Sequence, residues 1–308
     1  MTSIGFDKSL YILPFDHPGW SYERIFGWKG ELTEEHAAQI TDSKRMIYDS
    51  FQSAITLGVP KNKAGILVDE QFGGAILQHA AELGVSTCCP VEKTGQDEFD
   101  FEFGEDFSKH IEAVHPTFCK VAVRYNAEGD HALNARQEER LRRLSDYVHK
   151  ASRSFFMLEL LVPPLKVQLD RFHGAETGYE SQLRPQLTIQ AIEQLQDAGV
   201  EPDVWNVEGF DRREDYERIA GAARRKGRDK VGCLVVCRGE DDLKGRVWLR
   251  TAASVLGFVG FVAGRTSLWS AMMAWQYANL TREETVALIA RRYREFVDSF
   301  EERRCAAA

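Results

Sequence analysis

The sequence predicts an α/β protein, a single (β/α)8 barrel domain that spans residues 1–308. Short apolar segments alternate with longer amphipathic ones along the chain, and eight of the apolar segments have the length of a strand. Eight strands, each followed by a helix, fit a chain of 308 residues. The turn at residues 15–19 reads Phe-Asp-His-Pro-Gly. That turn lacks the glycine-rich phosphate-binding pattern that a doubly wound open sheet would need after its first strand.

The eight strand candidates are apolar nearly throughout, which is typical of parallel strands buried on both faces. A barrel has this burial, because its interior and its ring of helices cover both sides of every strand. The predicted strands are Leu10–Phe15, Gly65–Val68, Thr87–Val91, Phe118–Arg124, Phe155–Leu161, Asp203–Val207, Gly232–Cys237 and Phe258–Ala263.

Helical patterns lie between these strands. Thr281 and Glu284 have the spacing of a capping box, which predicts that the last helix begins there. No linker rich in Pro, Gly or Ser interrupts the pattern, so we expect one domain. The predicted helices are Gly73–Leu83, Phe107–Val114, Leu133–Ala151, Arg184–Ala198, Arg212–Lys226, Asp241–Ser254 and Arg282–Phe300.

Composition excludes several classes of protein. The chain has 39 basic and 47 acidic residues, a net charge of −8, and no long basic run, which argues against a nucleic-acid partner. No apolar stretch approaches the roughly 18–20 residues of a membrane span. Residues 1–8 lack the basic and apolar regions of a secretory signal, so we expect a cytoplasmic protein without a membrane partner. The six cysteines stand mostly in strand-like segments and are expected to be reduced, buried thiols.

Polar residues stand at the carboxyl end of every predicted strand, where the chemistry of a barrel is found. Because a buried unpaired charge is costly, these residues predict an active pocket at the barrel mouth. The alternative is a set of ion pairs that closes the mouth. The strand-end residues are Asp16, His17, Asp69, Glu70, Glu92, Lys93, Lys120, Arg124, Asn126, Glu159, Asn206, Glu208, Arg238 and Arg265.

Four of these residues are candidates for proton and amine chemistry. Lys120 lies in an apolar run, so we expect burial to lower its pKa and favour the free amine. Glu159 is flanked by leucines, which would raise its pKa and suit general acid–base catalysis. Asp16 could orient a hydroxyl group or hold a lysine. Lys93 is a second, more exposed amine.

The last two predicted strands end in an arginine beside a glycine, Arg238-Gly239 and Gly264-Arg265. Barrels commonly bind phosphate at this position, where glycine lets backbone N–H groups approach the phosphate oxygens. An amine, carboxylates and a phosphate clamp together suggest a Schiff-base lyase that acts on a phosphorylated keto sugar.

Seven segments also resemble a known family, the class I aldolase-like domain related to tagatose-1,6-bisphosphate aldolase. That domain occurs alone or fused behind the 5-dehydro-2-deoxygluconokinase of inositol catabolism. The resemblance covers about residues 10–300 and implies a (β/α)8 barrel. It also implies retro-aldol cleavage of 2-deoxy-5-keto-gluconate 6-phosphate to dihydroxyacetone phosphate and malonate semialdehyde. The segments are Leu10–His17, Gly65–Gly73, Cys89–Asp100, Phe118–Asn126, Glu159–Pro163, Val200–Trp205 and Gly264–Thr266.

Two positions depart from the family pattern. The family reads Asp-Val-Trp-Lys on its sixth strand, and that lysine forms the Schiff base, whereas this chain has Asn206 there. Pro18 follows His17 where the family usually has an arginine. Three interpretations of Asn206 are open. The chain is an engineered inactive variant, or a natural relative that now binds, regulates or does other chemistry, or Lys120 supplies the amine.

The predicted function is a class I aldolase-like lyase, with a non-catalytic sugar-phosphate-binding or regulatory protein as the alternative. We expect Lys93, Asp69 and His17 to contact a phosphorylated sugar. We expect no cofactor, because the histidines are scattered and form no zinc-binding pattern. A homo-oligomer is the expected assembly.

Overall fold

Eight parallel strands form a closed barrel in which each strand pairs with its neighbours in chain order. The computed structural model describes residues 4–16, 22, 25–28, 31–237 and 242–307, without the side chains of residues 242, 265–267, 306 and 307. The predicted (β/α)8 fold is thereby confirmed. The strands are β1 (Leu10–Pro14), β2 (Ala64–Leu67), β3 (Ser86–Pro90), β4 (Phe118–Arg124), β5 (Phe155–Leu161), β6 (Val204–Glu208), β7 (Gly232–Cys237) and β8 (Phe258–Ala263).

Helices follow every strand within the described ranges. Three of them, α1, α5 and α9, were not predicted from the sequence. The predicted capping box of the last helix is present, because the Glu284 carboxylate accepts from Thr281 N–H at 2.8 Å. The helices are α1 (Glu34–Thr56), α2 (Glu70–Glu82), α3 (Phe107–Val114), α4 (His131–Ala151), α5 (Lys166–Asp170), α6 (Arg184–Asp197), α7 (Arg213–Ala223), α8 (Asp242–Ala253), α9 (Arg265–Tyr277) and α10 (Arg282–Ala307).

The core has two parts, one outside the barrel wall and one inside it. The inner part takes alternate residues from all eight strands, such as Phe118, Met157 and Val204. Because side chains along a strand alternate between faces, Lys120, two residues after Phe118, points into the barrel. The inner apolar cluster therefore forms the base on which the polar strand ends rest.

The barrel closes where β1 pairs with β8, and Leu10 lies opposite Gly260 in that pairing. A Cβ atom at Gly260 would overlap the carbonyl oxygen of Leu10. The register between β7 and β8 shifts just before this point, beside Leu234. Glycine is therefore required at residue 260 for the two strands to approach closely.

A buried carboxylate, Asp203, organises the amino-terminal end of the barrel. It accepts hydrogen bonds from the Gly5 N–H at 2.7 Å, the Phe156 N–H at 2.8 Å and the His149 ring at 3.1 Å. The side chain thus ties the start of the chain and helix α4 to the strands.

Five of the six cysteines are buried free thiols, as expected, and Cys305 is exposed. Burial raises the pKa of Cys119 to about 12, so that thiol stays protonated near neutral pH.

Among the described helices, none combines the length and the apolar character needed to cross a bilayer.

Candidate active site

A cavity of about 480 Å³ opens at the carboxyl ends of the strands. Its lining includes Asp16, Asp69, Glu92, Lys120 and Glu159. The lining thus contains seven of the strand-end residues predicted from the sequence, since Lys93 and Arg124 also belong to it. The predicted residues Glu70, Asn126, Asn206 and Glu208 lie outside the lining. The position of the pocket follows from the fold, since all eight parallel strands deliver their carboxyl ends to the same side of the barrel.

Lys120 is the centre of the pocket. Its Nζ lies 2.8 Å from a Glu92 oxygen, 3.2 Å from a Glu159 oxygen and 3.4 Å from an Asp16 oxygen. Only 5% of the lysine side chain is exposed. One ammonium group therefore holds three carboxylates, from β5 and from the segments that follow β1 and β3, in one cluster.

The prediction that Lys120 is a free amine is wrong. Burial on its own lowers the lysine pKa, but the charges of Glu92, Glu159 and Asp16 outweigh it and raise the pKa of Lys120 well above its ordinary value. The side chain is therefore an ammonium ion near neutral pH. An ammonium ion donates hydrogen bonds and stabilises negative charge, but it does not attack a carbonyl carbon.

Glu92 is the carboxyl group with the most unusual surroundings. Burial raises its pKa, although the adjacent Lys120 ammonium opposes that shift. Within the described residues, its Oε2 atom has no hydrogen-bond partner. Glu92 is therefore suited to hold a proton that it can deliver to a substrate. Residues 92 and 101 form an antiparallel bridge, which fixes the glutamate backbone at the mouth.

Asn206 occupies the interior of the barrel beside the site. It lies opposite Glu159 in the pairing of β5 and β6 and is fully buried. Neither its amide nitrogen nor its amide oxygen has a partner among the described residues. Asn206 is not part of the cavity lining, and its amide cannot form an imine.

A buried lysine on α1, Lys44, supports the pocket and was missed at the sequence level. Its Nζ donates to the carbonyl oxygen of Phe15 at 2.7 Å and pairs with the Asp69 carboxylate. Asp69 also caps α2 by accepting from Phe72 N–H at 2.8 Å. Lys44 thus holds the ends of β1 and β2 together. The usable signal was a lysine on the apolar face of a helical pattern.

The predicted phosphate site lies only partly within the described residues. Gly264 lines the cavity directly before α9, so the amino terminus of that helix faces the pocket. Arg238, Gly239 and His17 lie outside the described residues, and so does the side chain of Arg265. Glu208, the strand-end residue of β6, lies 3.7 Å from Arg184.

Lys93 and Arg124 stand at the rim of the same cavity. Both are exposed, as expected for Lys93.

Across the ranges that the structure covers, no group of three or more His, Cys, Asp or Glu side chains has the arrangement of a metal site.

The fold and the pocket define a (β/α)8 barrel protein with a charged cavity at the carboxyl ends of its strands. The chain belongs to the DUF2090 family, described as an uncharacterized protein conserved in bacteria, whose model matches residues 6–304. No match was found among curated protein sequences.

Solved structures with the same fold include the following two. A structural genomics target from Corynebacterium glutamicum is 16% identical, with a TM-score of 0.55, over 95% of this chain and 88% of that one. The fructose-bisphosphate aldolase of Slackia heliotrinireducens is 15% identical, with a TM-score of 0.52, over 91% of this chain and 85% of that one. At this identity the likeness shows the common barrel architecture.

Proposed function

We propose that this chain is an aldolase-type lyase that cleaves a phosphorylated keto sugar. The candidate substrate is 2-deoxy-5-keto-gluconate 6-phosphate, which would give dihydroxyacetone phosphate and malonate semialdehyde. The observation that carries the proposal is the Lys120 ammonium within 3.4 Å of three carboxylates at the floor of the cavity. A charged donor beside proton acceptors is what a retro-aldol reaction requires.

The reaction moves one proton and one electron pair. A base takes the proton of the hydroxyl group on carbon 3, and the bond between carbons 3 and 4 breaks. Carbon 3 becomes the aldehyde of malonate semialdehyde, and the electron pair passes to the keto oxygen on carbon 5. A proton then returns to carbon 4, which completes dihydroxyacetone phosphate.

The pocket residues suit these steps without an imine. The Lys120 ammonium stabilises the negative charge on the keto oxygen, in place of the iminium that Asn206 cannot form. Glu159 serves as the base for the hydroxyl proton, and Asp16 orients that hydroxyl group. Glu92, whose pKa is raised by burial, returns the proton to carbon.

The phosphate group would lie at the β8 side of the mouth. Gly264 directly precedes α9, and the amino terminus of a helix attracts anions. Arg265, Arg238 and the Gly239 backbone are the proposed partners of the phosphate oxygens.

Incubation of the chain with the candidate substrate tests the proposal. Phosphorus NMR should show the signal of dihydroxyacetone phosphate growing with time. Borohydride added during turnover should leave the mass of the Lys120 peptide unchanged, because the protonated amine forms no imine. Absence of cleavage contradicts the proposed activity, and a borohydride adduct on Lys120 contradicts the proposed role of the ammonium.

A second candidate is a non-catalytic sugar-phosphate-binding protein. The observation that favours it is Asn206, which stands where the resembling family has its imine lysine. This candidate predicts saturable binding of the sugar phosphate with no change in its NMR spectrum over hours. The same incubation, followed by phosphorus NMR, therefore separates the two functions.

A further inference from the structure

Two cationic side chains at the cavity rim, those of Arg124 and Lys93, are exposed to solvent. The Arg124 side chain is 53% exposed, and its nearest carboxylate is Asp97, at 3.7 Å and itself 98% exposed. Lys93 is also exposed, and the described part of the chain offers its ammonium no ion-pair partner. Exposed ion pairs of this kind contribute little energy, so both cations can exchange their surroundings for a ligand at low cost.

The backbone of the rim is nevertheless held in place by hydrogen bonds. The side chain of Gln137, on α4, is fully buried and contacts both parts of the rim. Its oxygen accepts from the Phe99 N–H at 2.8 Å, and its nitrogen donates to the Arg124 carbonyl oxygen at 3.0 Å. Lys93 N–H donates to the Asp100 carbonyl oxygen at 2.8 Å. The backbones that carry the two cations are therefore fixed relative to each other.

The charge distribution of the cavity determines how an anionic ligand would be oriented relative to the two cations. Its floor carries the carboxyl groups of Asp16, Glu92 and Glu159 around one ammonium group, so the floor repels anions. The rim carries Lys93 and Arg124 with the single carboxylate of Asp97. An anionic ligand therefore gains most when its charged end stays at the rim and its neutral hydroxyl groups reach the floor.

We infer that Arg124 and Lys93 form an oxyanion subsite that binds one charged end of the substrate, a carboxylate or a phosphate group. The subsite follows β3 and β4, whereas Gly264 follows β8, which is four strands from β4 in the closed barrel. A ligand that reaches both sides has an oxyanion at each end of its chain. Only this last step, the identity of the ligand as the substrate, rests on the proposed function.

Titration of the full chain with malonate and with inorganic phosphate, followed by calorimetry, tests the subsite. We expect one of the two anions to bind, and Arg124→Gln to weaken its binding about tenfold through loss of a charge-assisted contact. Tighter binding of malonate assigns the subsite to a carboxylate, and tighter binding of phosphate assigns it to a phosphate group. Asp97→Asn should tighten binding several-fold, because it removes the competing carboxylate.

Arg212→Gln is the matched control. Arg212 is exposed and pairs loosely with Glu214 at 3.5 Å, and it is not part of the cavity lining. This variant should bind the anion as the parent does. Arg124→Gln keeps the backbone carbonyl that Gln137 holds, and an unchanged Tm confirms that the rim is intact. Lys93→Gln gives a second, independent loss of charge.

Three results overturn the inference: neither anion binds, Arg124→Gln and Lys93→Gln both bind like the parent, or only Arg265→Ala lowers the affinity. These outcomes are separate from failure of the proposed function. Anion binding that depends on Arg124 in a chain without lyase activity supports the subsite and rejects the activity. Lyase activity with a KM unaffected by Arg124→Gln supports the activity and rejects the subsite.

Discussion

At the scale of single residues, charge decides the chemistry of this pocket. Lys120 carries a positive charge because three carboxylates surround it, even though the side chain is buried. Asn206 contributes no charge, and the described residues leave its amide without a partner. The floor of the pocket therefore contains a strong hydrogen-bond donor and proton acceptors, and the Lys120 amine there is not in its reactive form at neutral pH.

Asn206→Lys should create the missing amine. The new side chain would project from β6 beside Glu159, near the Lys120 ammonium, and a neighbouring cation lowers the pKa of a lysine. We expect cleavage of the candidate substrate to rise by orders of magnitude, with borohydride now adding mass to the residue 206 peptide. Asn206→Met, which fills the same space without an amine, should show neither effect. No adduct in the lysine variant would contradict this prediction.

Lys120→Met should destabilise the fold in a pH-dependent way. Removal of the ammonium leaves Asp16, Glu92 and Glu159 facing one another, and breaking a buried ion pair costs about 3 kcal/mol. Their repulsion exists only while they are charged, so the loss should be largest near neutral pH and shrink in acid.

Urea unfolding of this variant and its parent at several pH values measures the effect. Lys109→Met, which removes an exposed partner of Asp106, should leave stability unchanged at every pH. A stability loss that is the same at pH 5 and pH 8 would reject the explanation.

The sequence predicted which residues meet in the pocket better than it predicted their charge states. Asp16 could be placed there because it follows a parallel strand. Lys120 and Glu159 could be placed there because they lie within such strands, where the alternation of side chains gives their direction. The pKa of Lys120 could not be predicted, because it depends on distances to Glu92 and Asp16 across the barrel. Lys44 was missed because α1, the helix that carries it, was not predicted.

At the scale of elements, α4 supports both ends of the barrel. Near its start, Gln137 fixes the rim of the cavity, and near its end, His149 donates to the buried Asp203 carboxylate. Helix α1 has a different signal, a Thr33 cap followed by two glutamates, and it escaped prediction because its apolar positions are interspersed with many polar ones. A search for helix N-terminal capping residues would have found α1, whereas a search for apolar periodicity did not.

Stability should fall with rising pH through His149. Burial alone lowers the pKa of this histidine, but the hydrogen bond and the charge of Asp203 outweigh it and raise the pKa. The folded state therefore binds the proton more tightly than the unfolded state, whose histidine pKa is about 6.5. The contribution is fully present below about pH 6.5 and is lost as the pH rises through the raised pKa.

The difference in unfolding free energy between the parent and His149→Gln, measured from pH 5 to pH 9, tests this contribution. We expect the difference to be larger at pH 5 than at pH 9. His131→Gln, at the exposed start of the same helix, should show no such trend. A difference that grows with pH would reverse the assigned sign.

At the scale of the whole molecule, the closed barrel was the most predictable feature. Four strands, including β4 and β5, have the predicted bounds, and the others differ by one residue at one or both ends. Strands buried on both faces leave continuous apolar runs in the sequence, which makes them easy to locate. The close approach of β1 and β8 at Gly260 could not be predicted, because it joins segments far apart in the chain.

Gly260→Ala should prevent normal closure of the barrel. The new Cβ atom would overlap the Leu10 carbonyl oxygen, and both strands are held on their other edges as well. We expect a large fall in Tm or loss of soluble folded protein, followed by circular dichroism. Gly221→Ala is the matched control. Gly221 lies in α7 with no atom near its added Cβ, so this change should stabilise the chain by about 0.5–1 kcal/mol.

The pairing of β1 with β8 also sets the timing of folding during synthesis. Leu10 leaves the ribosome 250 residues before its partner Gly260, a delay of roughly 10 to 50 s at typical rates of translation. Throughout that interval one edge of β1 has exposed N–H and C=O groups that can pair with another nascent chain. The exposed edge of β1 is therefore covered only when β8 has been synthesised. Slow translation through residues 200–260 should increase aggregation more than slow translation near the end of α10.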